Sequence, residues 1–348
     1  MWSVSQFVKI SSHFSHHASR IAFKESRDPI TAVVAYVLFL LVSAALVLGA
    51  LAWYTHGVVR RIEAAMPPAG TFFDIDGVRL HVRDEGSGPP LLLLHGLHGQ
   101  MGHFSYGALA GLAQSFRVVT VDRPGAGWSG PAHDAGLTAQ ARVLAGLIER
   151  LGLERPTVVG HSLGGTVALA LALDHPRAVG ALALIAPLSD PKTQAPPVFG
   201  ALGIRPLALC RLFAWTLAVP ATVLGGVKVL QWVFGPEPVP ADFQTRGGGF
   251  MAMRPSQFIG ASRDLQALRD ELPPLARRYR ALDVPLAVLY GRDDRLLDWG
   301  ANGHDLVAQV PGARLELVEG GHMLPITRPT LCAHFIREAA DARRLDAA

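Results

Sequence analysis

The chain has 348 residues, of which half are apolar and only 17% are charged, with a net charge of +4 and two cysteines. That composition excludes a disordered chain and a disulfide-stapled scaffold, and the length suffices for one large domain with an appendage. The positive charge is local: residues 1–61 hold six basic and two acidic side chains, whereas the remainder holds 26 of each, so the body is neutral and no nucleic-acid partner is expected.

Residues 1–29 read as a polar juxtamembrane tail, with His13, His16 and His17 clustered in a solvated segment. From Ile30 to Tyr54 there is no charged side chain, and a run of this length spans a bilayer core with some tilt. Trp53 and Tyr54 close it, where their amphipathic rings suit the headgroup level. The run is too long and starts too late for a cleavable signal peptide, so residues 30–54 are expected to be an uncleaved single-pass anchor. Lys9, Arg20, Lys24 and Arg27 precede it against Arg60 and Arg61 behind it, which favours the tail in the cytoplasm and the rest of the chain on the outer side.

Residues 55–70, ending in Met66-Pro67-Pro68, read as a linker. From residue 71 short β runs alternate with helical ones. The segments either side of Gly77 form an expected hairpin, and Leu91–Leu94, Arg117–Asp122, Pro156–Gly160, Val179–Ile185 and Leu286–Tyr290 read as fully buried parallel strands. Helical stretches lie at Thr138–Leu151, Leu163–Asp174 and Pro329–Arg344. The alternation implies one open, mostly parallel α/β sheet. Between Pro187 and Asp283 no strand run occurs, and residues 188–282 read as a helical lid inserted over the sheet.

Gly160-His161-Ser162-Leu163-Gly164 matches GxSxG between an apolar strand run and a helical run. A serine on so tight a turn is strained, and small residues two before and two after it avoid a clash. A serine hydroxyl needs a base, and the base an acid to fix its tautomer, in the chain order Ser, Asp, His. Candidates follow at strand ends: Arg292-Asp293-Asp294-Arg295, with Asp298 nearby, and Glu319-Gly320-Gly321-His322. Cys210 and Cys332 lack metal-ligand spacing and read as buried thiols.

Together LLLLHGLHG, VVTVDRPGAGWS, VVGHSLGG, LYGRDDRLL and EGGHMLP make the chain, from about Phe72 onward, resemble the alpha/beta-hydrolase superfamily. The resemblance implies an eight-stranded sheet, Ser162 as nucleophile, His322 as base and Asp294 as acid, with Asp293 and Asp298 as fallbacks. It implies an oxyanion hole from the backbone N–H groups of Leu97 and Leu163, and no cofactor or metal. His95, His98 and His161 are expected to shape turns. Because the nucleophile is serine, the family's dehalogenase and epoxide-hydrolase branches, which use Asp, are disfavoured.

The expected activity is hydrolysis of an ester of a small lipophilic substrate. Acyl transfer, carbon–carbon bond hydrolysis and lipophile sensing with negligible turnover are the alternatives. In the lid, Phe213, Trp215 and Trp232 are the expected pocket residues. Pro206–Pro220 carries Arg211 as its only charge, so a helix there buries one face and leaves another to line the pocket or to touch the bilayer.

Overall fold

The computed structural model describes residues 29–346. Helix α1 runs Pro29–Ala65, and a boundary between two compact units falls within it, after Trp53. Up to Tyr54 no side chain of α1 is buried, and this portion is long and apolar enough to cross a membrane. Its last turns behave differently: Thr55, Val59 and Ile62, spaced four and three apart, are buried in the second unit. The expected linker is therefore helical as far as Ala65. The stripe at 55, 59 and 62 packs, and the chain breaks only at Met66-Pro67-Pro68.

The second unit is built on an eight-stranded sheet in the order β1-β2-β4-β3-β5-β6-β7-β8. These strands are β1 Thr71–Ile75, β2 Val78–Glu85, β3 Pro90–Leu94, β4 Arg117–Val121, β5 Thr157–His161, β6 Ala181–Ile185, β7 Leu286–Gly291 and β8 Arg314–Val318. β2 runs antiparallel to β1 and β4, and all other pairs are parallel. The β1–β2 turn is Asp76-Gly77, both with positive φ, as a two-residue turn matched to the strand twist requires.

Strands β5, β6 and β7 are buried along their whole length, and their side chains alternate between two cores. Leu182, Leu184 and Val288 face one core, which packs helices α2 (Leu137–Arg150) and α3 (Leu163–Asp174). Ala183, Ile185 and Leu289 face the other, where Phe335 and Ile336 of α7 (Pro329–Asp346) close the layer. Truncating such a leucine to alanine costs about 2–5 kcal/mol.

The lid is helical, as its sequence implies: α4 (Leu207–Thr216), α5 (Ala218–Phe234) and α6 (Pro255–Ala276) follow β6 before the chain returns to β7. The three-layer order puts the carboxyl ends of β5, β7 and β8 on one edge of the sheet, where open α/β sheets build their sites.

Candidate active site

Strand β5 turns into α3 at Ser162, whose backbone is held at φ 55°, ψ −123°. That strain is enforced by close packing. A Cβ on Gly160 would come within 2.6 Å of the Gly164 carbonyl oxygen, and one on Gly164 would collide with the Leu94 carbonyl. The Ser162 N–H donates to the Ile185 carbonyl at 3.0 Å, and its own carbonyl accepts from Gly165 N–H at 2.8 Å. Leu163 opens α3, so its N–H has no partner within the helix and lies at the positive end of the helix dipole.

His322 follows β8 after Gly320-Gly321, and its imidazole is almost fully buried. Its Nδ1 lies 2.7 Å from Asp294 Oδ2. The other carboxylate oxygen of Asp294 accepts from Leu296 N–H at 2.8 Å and Leu297 N–H at 3.0 Å, which fixes the carboxylate from behind. Asp293 is exposed beside Arg292, and Asp298 accepts from Ala301 N–H at 2.8 Å. Of the three carboxylates in this loop, the one against the imidazole is Asp294. Glu237, just after lid helix α5, accepts from Gly321 N–H at 3.0 Å and so braces the loop that carries His322.

Ser162, His322, Leu97 and Leu163 all open onto one cavity of about 680 Å³. Val229, Leu230 and Phe234 of α5 and Leu265, Leu268 and Leu272 of α6 give it apolar wall, and Lys192 and Arg269 are also among its lining residues. Phe213, Trp215 and Trp232 do not line it. Phe213 stacks on Phe258 at 5.4 Å between centroids, Trp215 is 41% exposed, and the phase of α5 turns residues 229, 230, 233 and 234 inward rather than Trp232. Composition singled out the largest rings, but helical phase decides which residues face the cavity.

Four further histidines surround the site. His95 donates from Nδ1 to Gly96 O and accepts Arg123 N–H at Nε2, and so holds the turn as a neutral ring. His161 donates from Nε2 to the His322 carbonyl at 3.0 Å, its ring 4.9 Å from that of His322. Burial lowers His98 and His103 to about 4 and pushes His95 and His161 well below the usual imidazole value; the nearby Arg123 deepens the shift at His95, and His322 does so at His161 and His103. His98 Nε2, His103 Nδ1 and His161 Nδ1 have no protein partner, and all three rings line the cavity. They add neutral polar groups to the lining that holds Ser162.

Arg123, in the glycine-rich turn after β4, was not among the expected site residues. It is wholly buried, and its guanidinium donates to His95 O at 2.9 Å, Gly96 O at 3.2 Å, Gln140 Oε1 at 2.8 Å and Asp264 Oδ2 at 2.9 Å. One side chain thus ties the loop before Leu97 to lid helix α6. Gln257 of α6 does the same for the neighbouring turns, donating to Gly99 O and accepting from Gly127 N–H, both at 2.6 Å. Among the described residues no cluster of His, Cys, Asp and Glu is arranged to hold a metal ion.

A family profile described as alpha/beta hydrolase fold matches residues 89–329. An uncharacterized protein of Mycobacterium tuberculosis is 30% identical over 283 residues, covering 77% of this chain and 79% of that protein. A 2-hydroxy-6-oxononadienedioate/2-hydroxy-6-oxononatrienedioate hydrolase of Burkholderia vietnamiensis is 32% identical over 276 residues, covering 76% of this chain and 91% of the relative. A thermophilic esterase from Thermogutta terrifontis shares the fold, with a TM-score of 0.62 at 21% identity over 78% of this chain and 98% of that one. A strand–serine–helix elbow on an eight-stranded sheet and a family match over most of its length lead to one conclusion: this chain belongs to the alpha/beta hydrolase family.

Proposed function

We propose that the protein is a membrane-anchored serine hydrolase that cleaves an ester, or a related acyl bond, of a small lipophilic substrate. The observation that carries this reading is a strained Ser162 opening onto the same cavity as His322, whose imidazole is held by Asp294 at 2.7 Å. His322 Nε2 takes the Ser162 hydroxyl proton as Oγ attacks the carbonyl, and Asp294 holds Nδ1–H and stabilises the imidazolium. The N–H groups of Leu163 and Leu97 receive the developing oxyanion. The proton passes from His322 to the leaving alcohol, and water, activated by the same imidazole, releases the acid and regenerates Ser162. The apolar walls of the cavity support an acyl or aryl substrate. No step calls for a cofactor.

The anchor is residues 30–54, supported by the length and composition of α1. The chain then pellets with membranes and resists alkaline extraction. The basic residues before the span favour a catalytic unit on the outer side, which protease shaving of spheroplasts tests.

The decisive experiment is labelling with a fluorophosphonate alongside a panel of simple esters. Wild type reacts with both, whereas Ser162→Ala, folded by circular dichroism, reacts with neither. A variant that retains labelling overturns the assignment of the nucleophile.

A second reading, carbon–carbon bond hydrolysis, is favoured by the names of relatives such as the Burkholderia vietnamiensis hydrolase. Turnover of a 1,5-diketone-type acid with no turnover of esters would select it.

A further inference from the structure

Outside α1, the described residues carry nine strongly exposed large apolar side chains, and all nine fall between Val198 and Val227. Leu207, Leu209, Leu212 and Trp215 lie on α4, and Leu224 and Val227 on α5, with Leu224 88% exposed. Scattered exposed leucines are ordinary, whereas a concentration in one helical hairpin marks a contact surface. Pro197–Gly203 and Leu207–Thr216 meet at 120° and together are apolar enough to enter a bilayer as a bent pair.

The charge of this segment is one-sided. From Pro191 to Pro236 there are four basic residues, Lys192, Arg205, Arg211 and Lys228, and no acidic one, in a body whose charges otherwise nearly balance. All four are exposed, and none has an ion-pair partner among the described residues. Leucine and tryptophan flanked by free cations complement an anionic lipid surface. A second copy of the chain fits poorly, because a self-complementary interface would bring like charges together.

The base of the lid is also tied to the end of the anchor helix. Glu63 of α1 pairs with Arg254, the residue before α6, at 2.8 Å. Tyr54, where the expected span ends, is nine residues earlier on the same helix, roughly 14 Å away at 1.5 Å per residue. That is a short reach to a headgroup layer.

We propose that the α4–α5 hairpin is a monotopic docking surface for an anionic bilayer. Its outer face inserts Leu212, Trp215, Leu224 and Val227 among the lipids, while Arg205, Arg211 and Lys228 meet the headgroups. The inner face of α5 lines the cavity through Val229, Leu230, Val233 and Phe234, so one helix joins the lipid surface to the space beside Ser162. An acyl chain then passes along α5 without crossing water. That last step rests on the serine-hydrolase reading, and the docking itself does not.

The test uses the full chain reconstituted in phosphatidylcholine vesicles with and without phosphatidylglycerol. Cys210 and Cys332 are buried, so Leu224→Cys takes an environment-sensitive fluorophore selectively. Asp283→Cys, just before β7 on the opposite edge of the sheet, is the reference. Doxyl-labelled lipid quenches the Leu224 label, whose emission shifts to the blue with phosphatidylglycerol, while the Asp283 label does neither. Arg211→Gln with Lys228→Gln lowers the docked-to-free ratio about thirtyfold, from about fivefold per cation at an anionic surface. Quenching at Leu224 no greater than at Asp283, or indifferent to phosphatidylglycerol, overturns the proposal. So does a shift that vanishes when protein is diluted into excess lipid, which is the signature of a second copy. Fluorophosphonate labelling of the same samples reports separately on Ser162, so docking and hydrolase chemistry fail independently.

Discussion

Glu63 and Arg254 meet at 2.8 Å, joining the last turn of α1 to the start of lid helix α6, and the guanidinium also lies over the Trp128 ring at 4.4 Å. Trp128 in turn donates from Nε1 to Met66 O at 3.2 Å, so the chain leaving α1 is fastened to the turn after β4. Arg254 is only 11% exposed, and its loss leaves Glu63 and Gly127 O without their donor. Arg254→Ala should therefore destabilise the second unit by about 1–3 kcal/mol, read as a lowered unfolding midpoint in detergent. Arg254→Lys should recover only part of this, because a point charge does not reproduce the planar fork. An unchanged midpoint in Arg254→Ala would show that this corner carries no net stability.

The acid of the relay is open to a paired test. Asp294→Asn presents an amide to His322 and favours the wrong tautomer, so kcat should fall on the order of 10³- to 10⁴-fold with little change in KM. Asp293 is exposed and does not touch the imidazole, so Asp293→Asn should stay within about twofold of wild type by the same reckoning. The reverse ranking, measured on one short-chain ester, would displace Asp294 from the role.

Much of this was legible in the sequence, and for identifiable reasons. The β5–Ser162–α3 elbow is a local feature, because steric demand at residues 160 and 164 writes glycine into fixed positions. Buried parallel strands likewise write short apolar runs, and the lid announced itself by their absence. What failed was side-chain phase and long-range pairing. Trp215 and Trp232 look like pocket residues by chemistry, yet helical phase gives the cavity to Val229, Leu230 and Phe234. Arg123 and Asp264 stand 141 positions apart, and no spacing rule links them, although a wholly buried arginine inside a glycine-rich turn is the sort of group that must have a partner. The helical continuation to Ala65 was hidden because Thr55-His56-Gly57 ended the apolar run, whereas the stripe at 55, 59 and 62 was its only signal.

The buried histidines make stability fall on the acid side of neutrality. His98 and His103 protonate near 6.5 when unfolded but only near 4 when folded, so the unfolded state binds more protons between those values. Their contribution is complete above pH 6.5 and declines as pH falls towards 4. Each adds about 1.4 kcal/mol of lost stability per pH unit inside that window. His103→Phe removes one such group, so the free energy of unfolding by urea should fall less steeply with acid, by about that increment. An identical slope in variant and wild type would mean that His103 takes up its proton in the folded state as readily as in the unfolded one.

The walls of the cavity should set how reactivity depends on chain length. Lys192 and Arg269 also line the cavity, but Leu230 and Phe234 of α5 with Leu268 and Leu272 of α6 supply apolar wall, so each methylene of an acyl group laid along it moves from water to hydrocarbon. At about 0.8 kcal/mol per methylene, kcat/KM should rise roughly fourfold per carbon until the cavity is filled. Leu230→Ser lowers that slope, because it removes apolar wall and adds a hydroxyl that must be hydrated or bonded. Trp215→Ser is the informative control: its ring faces outward, so in detergent, with esters presented as monomers, its slope should match wild type. With substrate delivered in anionic vesicles the same substitution should lower the rate for long esters and spare acetate, since only the former need the docked surface. If Trp215→Ser flattens the slope for monomeric esters as much as Leu230→Ser does, the ring reaches the substrate after all and the outward face of α4 is part of the pocket.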